Sequence, residues 1–182
     1  KASDNDIKTF MISSAPLCGP RQRLVSDAYL WGADYMLWMD ADHVFPRDAF
    51  CRLWARNKAM IGCNYARRCI PTALTACAIV TDSDEEDHRN LVYTSAEKAE
   101  ADEVEPVSHL GFGLCLMHRS VIDRLQVRAE ELGSVTFLPL FVFEPCQDHK
   151  GMIGEDVYFF RKVRDAGFKI FCDHALSWEI GH

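Results

Sequence analysis

The sequence predicts a single α/β domain with a largely parallel central sheet and helices on both faces. Three observations carry this. Short uninterrupted apolar runs, YMLWM at residues 35–39 and AMIGC at 59–63, have the composition of strands covered on both sides. Helical stretches alternate with such runs across short links. The 182 residues, 48% apolar and 26% charged, suffice for one domain with a sizeable core.

Taken in order, residues 7–13 (IKTFMIS) read as a short strand. Pro20 opens a helix over 21–31, closed by Gly32. The strand at 35–39 runs straight into Asp40-Ala41-Asp42-His43. Pro46 and Asp48 begin a helix over 47–57, and 59–63 is the next strand. Residues 75–81 are apolar and β-prone. HLGFGLCLMH at 109–118 reads as a strand with Gly111 and Gly113 near its start. A helix over 119–132 follows, closed by Gly133, and then a β-prone run, 135–143, interrupted by Pro139. Gly154-Glu155-Asp156 introduces a helix over 157–166, closed by Gly167. A last strand spans 168–172, and the chain ends in Trp178-Glu179-Ile180-Gly181-His182.

The net charge of −7 belongs to one segment. Residues 82–105 hold ten of the 27 carboxylates and two of the 20 Lys and Arg, leaving 17 against 18 elsewhere. That segment reads as an exposed acidic loop or hairpin, and the rest of the chain is nearly neutral. No basic stripe interleaved with aromatics argues for nucleic acid. No run of about 18 apolar residues argues for a membrane span. The eight cysteines include no C-x-x-C pair. They read as reduced thiols, and the protein as soluble and cytoplasmic.

The chemistry concentrates in three places. Asp40 and Asp42 follow an apolar strand directly, where ligands bind in open α/β sheets. Two such carboxylates offer a hard oxygen site for Mg²⁺ or Mn²⁺; equally, they serve as caps for the helix near Pro46. Glu155 and Asp156 stand at a helix start, where the dipole alone favours acids and where one of them can accept a proton from an attacking hydroxyl. His182 is the third element, preceded by Ile180-Gly181.

D-x-D after an apolar strand, G-x-G in a later strand, G-E-D at a helix start and a trailing I-G-H, in that order, resemble the GT-A (Rossmann-like) glycosyltransferases. The likeness is to family-2-like enzymes, including small ones of phages and other viruses. It runs from about residue 7 to 182 and includes PRQRLVSDAYLWGADY, IGCNYARR and GEDVYFFRKVRDAGFKIF. The family's first strand and its loop, which hold the nucleobase, are not recognisable before residue 7. The chain also begins at Lys1, as a fragment or processed product would.

The resemblance implies a metal-dependent transfer of a sugar from a nucleotide-sugar, UDP-linked in the family's commonest form, to an acceptor hydroxyl. The divalent metal, Mn²⁺ or Mg²⁺, falls to Asp40, Asp42 and His182, with Asp40 also near the ribose. Asp156 matches the base of an inverting reaction and Glu155 orients the acceptor. Arg21 or Arg23 meets the nucleotide or its diphosphate, Arg67 and Arg68 being weaker choices. Gly111 and Gly113 let the backbone approach the donor sugar. The acceptor is a glycan, a protein or a hydroxymethylated DNA base. The alternatives are a nucleotidyltransferase, although no basic Gly-rich loop precedes Asp40, and an inactive binding module of the same fold.

Overall fold

A strand without polar alternation has to be covered on both faces, and the central sheet of this protein is. The computed structural model describes residues 6–13, 17–67, 73–78, 91–131, 139–145 and 151–181. In chain order its elements are α1 (Cys18–Trp31), β1 (Tyr35–Met39), α2 (Ala49–Ala55), β2 (Met60–Gly62), α3 (Ala96–Glu100), β3 (Val104–Val107), β4 (Leu114–His118), α4 (Arg119–Glu131), β5 (Glu144–Pro145), β6 (Met152–Ile153), α5 (Glu155–Asp165), β7 (Ile170–Asp173) and α6 (His174–Ser177). Five strands make one sheet, ordered β1-β4-β2-β7-β3, and β5 pairs with β6 in a separate ribbon.

The sheet is mixed, not largely parallel. Among the described residues only β2 and β7 pair in parallel; β4 runs antiparallel to both β1 and β2, and β3 antiparallel to β7. The expected direction does hold for β1, β2 and β7, which all point the same way. What differs is β4, inserted between β1 and β2. Its residues LCLMH are buried almost throughout, and a strand covered on both faces reads as the same apolar run whichever way it points.

Side chains alternate across a strand, so each face acquires its own core. One face carries Met36, Met60, Cys115, Met117, Ile170 and Cys172, under Val25 of α1, Ile122 of α4 and Phe159 of α5. The other carries Ile61, Leu114 and Leu116, under Leu53 of α2 and Leu176 of α6. Helices thus cover both faces, as the sequence predicts. Phe112 centres the first core. Its ring lies 5.1 Å from Trp38, 5.3 Å from Phe141 and 5.1 Å from Phe160. Among the described residues no helix is long and apolar enough to cross a membrane.

Several sequence expectations change. Residues 7–13 form no strand; Ile7 and Met11 are exposed, and Phe10 alone packs inward, edge-on to Trp31 at 6.5 Å. An apolar run becomes a strand only when a neighbour takes its hydrogen bonds. The strand expected over 109–118 begins only at Leu114. Of 75–81, residues 79–81 lie outside the described residues, and Cys77 makes isolated bridges to Leu91 and His109. Of 135–143, residues 135–138 lie outside, and 139–143 are not strand, although Leu140 and Phe141 are buried. The acidic loop or hairpin gives way in its second half to α3 and β3, while 82–90 lie outside the described residues. As an edge strand β3 tolerates Pro106, and its Glu105 is bound by Lys98 and by His174 at 3.0 Å.

His109 is buried beside this region, with Ser108 Oγ 3.1 Å from its Nδ1. Burial, with help from Arg67 and Arg164 and against Asp156, lowers its pKa to about 4 from 6.5. The unfolded chain therefore takes up this proton first as pH falls. Its contribution to stability is complete above about pH 6.5 and is lost progressively towards pH 4, up to about 3 kcal/mol. Urea denaturation across that interval should show His109→Gln losing less stability than wild type. Equal losses would take His109 out of the acid response.

Candidate functional site

Because β1, β2 and β7 share a direction that β4 and β3 oppose, three carboxyl ends and two amino ends meet at a single sheet edge. Asp40 follows β1, Tyr65 lies just beyond β2, Gly113 precedes β4, and the stretch after β7 runs to Gly181. Helices α1 and α5 lead into β1 and β7, so their first turns, with Arg21, Glu155 and Asp156, come to the same edge.

The D-x-D loop is fixed at both ends. Asp40 N–H donates to the Gly113 carbonyl at 3.0 Å, extending the β1–β4 ladder by one rung. Val44 and Gly181 exchange backbone hydrogen bonds of 2.8 and 3.2 Å. Between these anchors the ligand atoms of Asp40, Asp42 and His43 lie within 4.8 Å of one another. The two carboxylates suit Mn²⁺ or Mg²⁺, with the imidazole beside them. His43 Nδ1 is 2.9 Å from Asp42 Oδ1, and the His43 side chain is only 3% exposed against 47% for Asp42. His182 lies outside the described residues; its chain neighbour Gly181 is paired two positions past Asp42.

Tyr65 joins this loop to the strand beyond it. Its Oη accepts the Gly113 N–H at 2.7 Å. A Cβ on Gly111 would meet Tyr65 Oη at 2.1 Å, and one on Gly113 would meet the ring at 2.5 Å. Real Cβ atoms do not approach that closely, so both positions require glycine while the ring is there. The close approach that these glycines permit is thus made by a side chain of the protein itself. The Tyr65 ring also stands edge-on to His43 at 4.5 Å. Burial raises the pKa of its phenol; Gly113 N–H and Arg21 oppose this, while Asp40 and Asp156 add to it. The charges of the D-x-D loop, α1 and α5 all act on this one hydroxyl.

Arg21 and Glu155 bind each other. Arg21 Nη1 donates to Glu155 Oε1 at 2.7 Å, both side chains are 10% exposed, and the guanidinium lies 4.9 Å from the Phe112 ring centre. The pair fastens the first turn of α5 to that of α1, so its direct consequence is where Asp156 stands. Asp156 Oδ1 accepts the N–H of Val157 at 2.8 Å, within the first turn of α5. Arg23 is not brought to the site; it is 74% exposed and lies 3.6 Å from Asp27 on its own helix. Arg67 lies near His109, whose pKa it lowers, and Arg68 is outside the described residues.

Two residues of this edge, His43 and Tyr65, carry no role in the sequence reading. His43 stands inside DADH and Tyr65 inside IGCNYARR, both quoted motifs. The glycines gave notice that something comes close, without saying what. Glu103, Glu105 and His174 make a second compact group. There His174 Nδ1 is 2.8 Å from Thr94 Oγ1 and its Nε2 is 3.0 Å from Glu105, a polar network tying α6 to β3.

Removing one partner of a buried ion pair strands the other charge, at a cost of about 3–5 kcal/mol, whereas replacing both with apolar groups is often neutral. Arg21→Met should therefore destabilise by that amount, and Arg21→Met with Glu155→Met should recover most of it in urea denaturation. A double variant as unstable as the single one would show that Arg21 acts through packing.

No protein-family model matches the chain, and no curated protein matches it. Solved structures do. The crystal structure of A197 from STIV superposes with a TM-score of 0.55 at 13% identity, over 89% of this chain and 65% of that one. At this identity the likeness is one of fold, and this chain spans 65% of the length of that protein.

Proposed function

We propose that this protein is a metal-dependent glycosyltransferase of GT-A type that moves a sugar from a nucleotide-sugar, UDP-linked, to an acceptor hydroxyl. One observation carries the reading: the compact Asp40–Asp42–His43 group stands at the carboxyl edge of the sheet, the edge to which the first turn of α5 also comes. The order of motifs along the chain supports it. His182 is kept as a further ligand on the order of motifs alone.

Asp40 and Asp42 would hold Mn²⁺ or Mg²⁺, which would supply Lewis-acid stabilisation for a departing diphosphate. His43, behind Asp42, keeps that carboxylate oriented. Asp156 takes the proton of the acceptor hydroxyl as its oxygen attacks the anomeric carbon from the face opposite the diphosphate, so the configuration inverts. Arg21 and Glu155 keep the base in position. The acceptor, whether glycan, protein or hydroxymethylated DNA base, contributes only its hydroxyl to this chemistry.

Thermal shift with UDP plus Mn²⁺, beside ATP plus Mg²⁺ and free sugars, tests the donor class, and hydrolysis of a nucleotide-sugar panel tests turnover. UDP with Mn²⁺ should stabilise wild type, and Asp42→Asn should abolish that shift. Asp156→Asn should keep the shift and lower turnover by about 10²–10⁴-fold. Full turnover in excess EDTA would remove the metal. Stabilisation by ATP with Mg²⁺ alone would favour nucleotidyl transfer, and binding without turnover an inactive module.

A further inference from the structure

We propose that Tyr65 is the positioning residue of the metal centre, setting Asp40 through Gly113 and Asp42 through the ring of His43. This rests on the metal reading above and deepens it. The two aspartates are held by different means, and both routes lead to the same side chain.

Asp40 is reached through the backbone. The Gly113 unit gives its carbonyl to Asp40 N–H at 3.0 Å and its N–H to Tyr65 Oη at 2.7 Å. A shift of the phenol therefore pulls on the residue from whose carbonyl Asp40 hangs. Asp42 is reached through a side chain. Its Oδ1 is 2.9 Å from His43 Nδ1, and the His43 ring packs against Phe45, stacked at 5.9 Å, and Tyr65, edge-on at 4.5 Å. With 3% of its side chain exposed, the orientation of His43 is set by what it packs against, Tyr65 included.

Gly111 and Gly113 complete the device. They leave a slot that the Tyr65 ring fills, with a Cβ at either position falling well inside contact distance. The glycines of the G-F-G motif are therefore a seat for Tyr65, and the metal loop is built on what they seat. This gives a second, independent way to move the tyrosine without mutating it. Groups that orient metal-ligating side chains typically change metal affinity about 10–100-fold when removed.

The test is Mn²⁺ affinity of the whole chain, read from the electron paramagnetic resonance signal of free Mn²⁺ well below the melting temperature. Tyr65→Ala should weaken binding by about 10–100-fold. Gly111→Ala, which expels the ring, should weaken it comparably. Tyr65→Phe keeps the contact with His43 and loses the bond to Gly113, and should fall between wild type and Tyr65→Ala. Val163→Ala, a core change on α5, should lower the melting temperature and leave Mn²⁺ affinity unchanged. If Tyr65→Ala fails to fold, Gly111→Ala and Tyr65→Phe carry the comparison. Variants that melt earlier yet bind Mn²⁺ like wild type would reduce Tyr65 to a space-filling side chain and overturn the proposal. Wild type and Asp42→Asn both failing to take up Mn²⁺ would instead strike down the metal reading itself, and this proposal with it.

Discussion

Gly113 is bound through both of its backbone groups, and the geometry of the site edge depends on it. Its carbonyl takes the Asp40 N–H and its N–H goes to Tyr65. The first bond continues a ladder that already runs through Tyr35–His118 to Met39–Leu114, so Asp40 is the last rung of a sheet and shares its rigidity. Asp42, two residues on, has left the ladder for a turn and relies on side-chain support. A single loop thus presents one carboxylate fixed by backbone pairing and a second beside a buried imidazole.

The charges nearby follow from the helix ends. A cation in the first turn of a helix faces the positive end of the dipole, so Arg21 in α1 is poorly placed on its own account. Glu155, in the first turn of α5, is well placed for the opposite reason. At 2.7 Å the second offsets the first, and the face of Phe112 supports the guanidinium further. Desolvating both charges means that the pair adds little net stability. What it secures is relative position: two helix starts, far apart in sequence, held at one sheet edge.

Much of this was legible in the sequence, and the exceptions share a physical cause. YMLWM running into Asp40 placed the carboxylates at a strand end. Gly32 and Gly167, both at positive φ, marked where α1 and α5 stop. Partners were not legible. The apolar run of β4 reports burial on both faces but not direction, so its antiparallel course between β1 and β2 left no trace. Glu103 and Glu105 read as solvated because composition cannot show that Lys98 and His174 meet Glu105 or that Val104 and Val107 pair with β7. Gly111 and Gly113 announced a close approach, but nothing in their own neighbourhood named a tyrosine 46 and 48 residues upstream.

The correction to the sheet and the reading of the site are not independent. Had β4 run parallel to β1, its amino end would lie at the opposite edge, five residues or about 16 Å away. Gly111 and Gly113 would then open a slot that Tyr65, leaving β2 at the Asp40 edge, could not reach. Asp40 would also lose the carbonyl that receives its N–H. The antiparallel insertion of β4 is therefore what brings the G-F-G glycines, the tyrosine and the D-x-D loop within contact of one another. A fully parallel sheet carrying the same motifs would have scattered them to its two ends.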